Sequence, residues 1–232
     1  LLGGKSGIGY LSAREEPAGQ RKPFALPPAH TDMRWVYAYL LQSRCIDRDV
    51  LTEFARAGLI FESAEPSADK TKIYHNAVFV GNDEHGVARH GHKRSIYTPG
   101  KSYRGNIESS DPRYSFHWVG ESDQLYVFEA PIDLLSYISL HQENWRDHNY
   151  VSLCGTSEHA MLWMLEQYPQ FGEIVLCLDN DDAGVKASER LTGFLAEHGY
   201  ENIRIDRSEE KDWNDELVRA CAAEEKMTME ME

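Results

Sequence analysis

Apolar positions along the chain follow two different grammars. Between residues 31 and 58 they recur at helical spacing. Trp35, Val36, Tyr39 and Leu40 share one face of a helix that Thr31-Asp32 would cap and that would run to about Ser43. Val50, Leu51 and Phe54 do the same for a second helix over 48–57, with Gly58 placed to end it. Short strand-like runs follow at 59–61, 77–80, 87–89 and 115–118, and the polar turn from Gly81 to Gly86 joins two of them as a hairpin. From Gln124 the pattern changes. Strand-like runs at 125–129, 151–154, 174–178 and 202–206 are each followed by a helical stretch, at 132–142, 158–168, 183–198 and 214–223. This alternation predicts an α/β fold, a parallel four-stranded sheet flanked by helices with right-handed crossovers, preceded by a smaller α+β domain. The expected divisions are a Pro/Gly-punctuated linker over 1–30, the α+β domain over 31–121, the α/β domain over 122–225 and a frayed tail over 226–232.

Composition narrows the class. With 41% hydrophobic and 27% charged residues, the 232-residue chain reads as an ordinary soluble protein. No apolar run approaches a membrane span and no signal peptide opens the chain, so a cytoplasmic location is expected. Cys45, Cys154, Cys177 and Cys221 lack C-x-x-C spacing and read as reduced thiols. The net charge of −14 is unevenly spread: residues 1–120 hold 16 Lys+Arg against 13 Asp+Glu, and residues 121–232 hold 8 against 25. A basic segment beside an acid-rich domain suits a polyanion handled with metal ions; the plainer reading is two solvated surfaces.

The candidate chemistry centres on Asp179-Asn180-Asp181-Asp182-Ala183-Gly184, directly after the apolar run 174–178. On an extended chain Asp179 and Asp181 face the same way, roughly 6.6 Å apart. They would repel by about 2.5 kcal/mol at an effective dielectric of 20, so removing one is expected to relieve the metal-free protein. Oxygen-only donors favour Mg²⁺ or Mn²⁺. The competing reading is a polar turn with Asp182 capping the next helix. Convergence favours the metal, because Glu129, Gly155-Thr156, Asp179/Asp181 and Lys211-Asp212 all follow strands of one parallel sheet and fall on one edge. Gly4-Lys5-Ser6 echoes a phosphate loop and Ser6-Gly7-Ile8-Gly9 a dinucleotide loop, but neither has the strand before it or the helix after it that such loops need.

These four loops carry a resemblance. Val127-Phe128-Glu129-Ala130-Pro131-Ile132-Asp133, Leu153-Cys154-Gly155-Thr156, Asp179-Asn180-Asp181-Asp182-Ala183-Gly184 and Lys211-Asp212-Trp213-Asn214-Asp215 resemble, in order, the E-G-x-x-D, G-T, D-G-D-x-A-G and K-D-P-D-E blocks of the Toprim domain of bacterial primases. The same domain occurs in type IA and II topoisomerases, but this chain is too short for their gate domains. The resemblance covers about residues 122–225. The first half is similar to the domain of uncharacterised function that often precedes Toprim in primase-like proteins of bacterial mobile elements, through Tyr39-Leu40, Arg44, Ile46-Asp47, Gly58-Leu59-Ile60, the run 76–81 and Ser110-Asp111-x-x-Tyr114. In such proteins a zinc-binding module usually comes first, and Leu1-Leu2-Gly3 looks like its last residues. Three positions depart: Ala130 replaces a glycine, Asn214 stands where primases have a second aspartate, and Pro112 where the preceding domain often has lysine.

The resemblance implies a primase-like, Mg²⁺- or Mn²⁺-dependent nucleotidyltransferase acting on single-stranded DNA with nucleoside triphosphates, with a replicative helicase or mobile-element proteins as partners and no membrane. A nuclease, or a binding module without activity, would use the same fold. The metal-ligand candidates are Glu129, Asp179 and Asp181, with Asp133 and Asp212 behind them; Glu129 is also the candidate base. Arg44, Arg89, Lys93, Arg94, Lys101, Arg104, Arg113 and Lys211 are the candidates for phosphate. Tyr97, Tyr103, Tyr114 and Trp118 interleave with them and would serve either as base-stacking platforms or as core. His90 and His92, without a third partner, read as plain surface.

Overall fold

The computed structural model describes residues 22–67, 69–96 and 103–231. The readings placed on residues 1–21, on Tyr97 and on Lys101 lie outside them.

The first helical stretch is a composite. α1 (Arg34–Ala38) runs straight into a π-helical turn at Tyr39–Ser43. Its N-cap is Met33, whose side chain makes no capping bond; one residue earlier, Asp32 Oδ1 accepts the Arg34 N–H at 3.1 Å, as the capping expectation for Thr31-Asp32 has it. The Glu62 carboxylate accepts the next two, the free Trp35 and Val36 N–H groups, at 3.1 and 3.0 Å. Val36, Tyr39 and Leu40 are buried while Trp35 is 50% exposed, so the four do not share one buried face. α2 (Arg48–Arg56) opens on Asp47, whose side chain accepts from the Asp49 and Val50 backbone, and Gly58 at φ +73° closes it. β1 (Ile60–Pro66), β2 (Ile73–Asn82), β3 (Ala88–Ser95) and β4 (Arg104–Asn106) form an antiparallel sheet in chain order, with β2 and β3 as the expected hairpin.

The second sheet has the order β5-β7-β6-β8-β9. Its parallel strands are the four expected: β6 (Gln124–Phe128), β7 (Asn149–Ser152), β8 (Glu173–Leu176) and β9 (Ile203–Ile205). α3 (Pro131–Leu140), α4 (His159–Gln167), α5 (Asp182–Glu197) and α6 (Trp213–Met231) follow them in turn. Two expectations are corrected. The run 115–118, read with the first half, supplies β5 (His117–Trp118), which pairs antiparallel with β7 in the second sheet. The tail expected to fray over 226–232 is helical as far as Met231, where α6 ends, with no Gly or Pro to stop it sooner.

Alternation along β6 explains how the halves hold together. Leu125 and Val127 enter one apolar cluster with Met161, Leu176 and Leu191. Tyr126 and Phe128 enter the other, which continues through Tyr137 and Trp213 into Phe54, Phe79 and Phe116 of the first half. The Phe116 ring lies 5.3 Å from Phe54 and 5.4 Å from Phe79. One core thus spans both sheets. Among the described residues no helix is long and apolar enough to cross a membrane.

Candidate active site

The carboxyl ends of the four parallel strands place the acid loops along one edge. Glu129 follows β6. The next residue, Ala130, is extended at φ −131°, so alanine meets no conformational penalty where the resemblance calls for glycine. After β7 the chain turns through Cys154 at φ +51° and Gly155 at φ +144°, a region that favours glycine. Gly155 donates its N–H to the Glu129 carbonyl at 3.1 Å, which ties these two loops. After β8 come Asp179 and Asp181. Asn180 donates its N–H to the Lys211 carbonyl at 2.7 Å, joining this loop to the one after β9.

Asp181, not Asp182, is the N-cap of α5; its Oδ1 accepts from the Ala183 and Gly184 N–H groups at 3.0 Å each. Asp212 caps α6 in the same way, accepting the Asp215 N–H at 2.8 Å. The metal and cap readings of this turn therefore fall on one residue. The N–H of Gly184, then that of Ala183, holds the Asp181 carboxyl below the usual aspartate range. Losing it removes a cap worth about 1 kcal/mol, contrary to the expected relief of repulsion.

The deeper acids behave differently. Burial first, then Glu129, Asp212 and Asp181, pushes Asp179 up to about 7. Its Oδ1 is buried and finds no hydrogen-bond partner among the described residues. Glu129 is raised by burial and by Asp181, against the pull of Arg104 and Lys211. Asp133, fully enclosed, is raised well above its ordinary value by burial, then by Asp212 and Asp179. A backbone hydrogen bond from Asn214 holds its carboxyl under the cluster. Oxygen-only donors, one of them buried and orphaned, have the chemistry for a hard divalent ion such as Mg²⁺ or Mn²⁺, which Glu129, Asp179, Asp181 and Asp212 would hold, although among the described residues no three of these carboxylates stand within 4.8 Å of one another.

The metal-free protein should show this arrangement in its pH dependence. Asp179 keeps in the native state a proton that the unfolded chain has already released, so between about pH 4 and pH 7 its contribution to stability falls as pH rises. Asp179→Asn should stabilise the protein in EDTA at pH 8 by about 1–2 kcal/mol after allowance for solvent screening, read as a higher melting midpoint, with no gain below pH 4. Melts of the two proteins that stay parallel across this range would refute the raised acid.

Asn214 is committed elsewhere. It accepts from Arg44 Nη1 at 2.9 Å and donates to the Arg44 carbonyl at 2.9 Å and to Ser136 Oγ at 3.0 Å. It joins the halves rather than offering a ligand. Arg44 Nε also donates to the Tyr39 hydroxyl at 2.8 Å, and Arg94 Nε donates to the same oxygen at 2.9 Å. Neither Tyr39 nor Asn214 carried a sequence signal for this bridge: one reads as a core aromatic, the other as a weakened ligand.

The remaining cations divide. Arg94 and Arg104 are directly opposed across β3 and β4, and so are His92 and Asn106, whose side chains meet at 2.8 Å. These four line a cleft of about 270 Å³ whose other wall includes Glu129, Ala130, Cys154 and Gly155. Arg89 is paired with Asp83 at 2.7 Å, Arg113 with Asp111 at 2.7 Å and Lys93 with Glu65 at 2.9 Å. Lys211 stands 4.0 Å from Asp181. His90 and His92 are buried rather than plain surface, at 1% and 9% exposure, and burial holds His90 down at about 4. Tyr114 packs on Trp163, and Trp118 on Phe54 and Trp145; Tyr103 stays 51% exposed with Lys93 over its ring.

Comparison with known proteins agrees with this architecture. Residues 126–217 match the Toprim-like family, and residues 38–122 match a family described as protein of unknown function, DUF3991. An uncharacterized protein of Bacillus anthracis is 31% identical over 207 residues, covering 81% of this chain and 58% of that protein. A Mycoplasma pneumoniae protein, described as an uncharacterized MG010 homolog, is 28% identical over 103 residues, 44% of this chain and 46% of its own. The chain thus spans about half the length of these relatives. Among solved structures, the primase fragment of the bacteriophage T7 primase-helicase protein superposes with a TM-score of 0.59 at 20% identity, over 78% of this chain and 69% of that one. The zinc-binding and RNA polymerase domains of Aquifex aeolicus primase give 0.55 at 17%, over 82% and 54%. The Escherichia coli primase catalytic core gives 0.54 at 15%, over 81% and 69%. These likenesses establish the fold, and with the family matches they identify residues 126–217 as a Toprim-like domain preceded by a domain of the DUF3991 family.

Proposed function

We propose that this chain is the core of a primase-like nucleotidyltransferase that joins nucleoside triphosphates on single-stranded DNA with Mg²⁺ or Mn²⁺. The observation that carries the reading is the cleft between the two sheets. Arg94 and Arg104 face each other across a strand pair, where like charges are unfavourable unless an anion lies between them. The opposite wall presents Glu129. A phosphate seated between the arginines would hold its reacting end toward the acid edge, and the guanidinium forks suit it.

The bound divalent ions would supply charge neutralisation on the attacking and leaving oxygens. The protein's own groups do the rest. Glu129, with its raised proton affinity, accepts the proton of the attacking 3′-hydroxyl. Asp179 and Asp181 are held in place by the β8 strand end and the α5 cap. Lys211 stands ready for a phosphate oxygen beside Asp181. A replicative helicase or mobile-element proteins would be the partners of the whole protein in the cytoplasm.

The test is template-directed incorporation of labelled nucleotides on single-stranded DNA with Mg²⁺ or Mn²⁺. DNA breakdown that ignores nucleotides would replace synthesis with hydrolysis, and metal binding without turnover would leave a binding module. Contact with the strand has its own readout. Arg94→Gln and Arg104→Gln together should flatten the salt dependence of single-stranded DNA affinity by about 1.4 units, about 0.7 for each lost phosphate contact. Arg89→Gln, whose guanidinium already pairs with Asp83, should change it less. A slope unchanged in the double variant would remove these arginines from the phosphate path.

A further inference from the structure

We infer a second metal site, for a borderline transition ion such as Zn²⁺, formed by His30, Glu62 and His75. It goes beyond the nucleotidyl-transfer reading and stands apart from the acid cluster. Glu62 lies within β1, the edge strand of the first sheet, at the opposite edge from β4 and the cleft. Its side chain is 0% exposed. A carboxylate in such a place needs partners for both oxygens. Oε2 has them in the Trp35 and Val36 N–H groups. Oε1 is left facing two imidazoles, with His75 Nδ1 at 2.6 Å and His30 Nδ1 at 3.6 Å.

Three chain segments meet here. Glu62 pairs with Ala77 across the β1–β2 ladder, so His75 is its diagonal neighbour on the same face. His30 arrives on the segment before α1, which Ala29 bridges to Ser63 and which the His30 N–H fastens to the Glu62 carbonyl at 2.7 Å. The two rings meet edge to face at 5.2 Å, and Trp35 covers His75 at 5.7 Å. The donor atoms of all three residues lie within 4.8 Å of one another.

The donor set selects the ion. Two imidazole nitrogens and one carboxylate oxygen suit zinc, whereas Mg²⁺ prefers oxygen alone. Tetrahedral donors about 2.0–2.2 Å from an ion stand roughly 3.3–3.5 Å apart. Glu62 and His30 already have that separation, at 3.6 Å. The contact between Glu62 and His75 is a hydrogen bond that must open by under about 1 Å as the ion enters. His75, whose Nδ1 donates to the carboxylate, moves its proton to Nε2, which frees a lone pair with no net loss of protons; His30 Nδ1 gives up its contacts with the Asp32 carbonyl at 3.1 Å and the Asp32 N–H at 3.4 Å. The histidine side chains are 25% and 22% exposed, enough to admit the ion and a water as fourth ligand. The backbone bonds to Oε2 hold the carboxylate in position. An ion here would clip the segment entering α1 to the edge of the sheet.

The experiment titrates the chelator-treated 232-residue chain with Zn²⁺, and with Co²⁺ as a spectroscopic probe. The expected result is one equivalent bound, a tetrahedral Co²⁺ absorption band and a melting midpoint that rises with zinc. His30→Gln and His75→Gln should each weaken binding by about 10²-fold or more. Glu62→Gln, which keeps an acceptor for the two backbone N–H groups, should do the same. Asp179→Asn should leave zinc binding unchanged, so failure at this site and failure of the acid cluster are told apart. X-ray absorption of the loaded wild type, which needs no variant to fold, should report two imidazoles. No stoichiometric uptake at micromolar zinc, uptake that survives His75→Gln, or a ligand shell without imidazole would each overturn the site.

Discussion

Glu129→Gln should lower template-directed synthesis by about 10²-fold or more while single-stranded DNA affinity stays within about twofold. The substitution keeps size and hydrogen bonding and removes only the charge. Glu129 ends the first parallel strand, and its proton affinity is set by burial and by Asp181, so its part is played at the reacting atoms rather than in holding the strand. The cations that would hold DNA sit on the other wall of the cleft, on β3 and β4, and keep their own contacts in the variant. Initial rates with saturating nucleotide, set beside a binding isotherm, separate the two effects. Wild-type synthesis by Glu129→Gln would end the assignment of Glu129 as base or ligand, and an equal loss of affinity and rate would make it a binding residue.

Gly184→Ala should be nearly as damaging although the residue carries no side chain. A Cβ built there would lie 2.0 Å from the Asp179 carbonyl oxygen, and backbone cannot give way as a flexible side chain can. Either α5 moves off the β8 loop or the loop moves, and both displace Asp179 from Asp181. The Gly184 N–H is also one of the two donors that cap onto Asp181. A loss of about 2–3 kcal/mol of stability, with Mn²⁺ affinity down at least tenfold, is the expected outcome. Gly193 lies on the same helix with open space around its Cβ position. Gly193→Ala should therefore leave metal affinity unchanged and stabilise the protein by about 0.5–1 kcal/mol. Calorimetry with Mn²⁺ and thermal melts of the two variants decide the matter. Equal behaviour would mean that the close approach at Gly184 is not what holds the loop.

Local pattern alone determined a good part of this protein. The four parallel strands and the helices after them were legible because each strand is a short apolar run and each is followed by a longer stretch with helical character. In a parallel sheet that grammar also dictates that Glu129, Gly155, Asp179 and Lys211-Asp212 end on one edge. The hairpin and the stop at Gly58 are likewise local events with local signals. Tertiary structure decided what depends on residues far apart in the chain. The run 115–118 was legible as a strand, but its place in the second sheet was decided by the edge of β7 that it pairs with and by Phe116 packing into the shared core. No spacing rule brings Tyr39, Arg44, Arg94 and Asn214 to one hydrogen-bonded bridge, since their partners come from both halves. Asp181 and Asp182 are alike in sequence, and only the direction in which α5 leaves the sheet makes the first the cap. The basic segment shows the same limit: charge is visible in the sequence, but whether an arginine meets an aspartate, as Arg89 and Arg113 do, or lines a cleft with Glu129 on its other wall, as Arg94 and Arg104 do, is set by register and by what packs opposite.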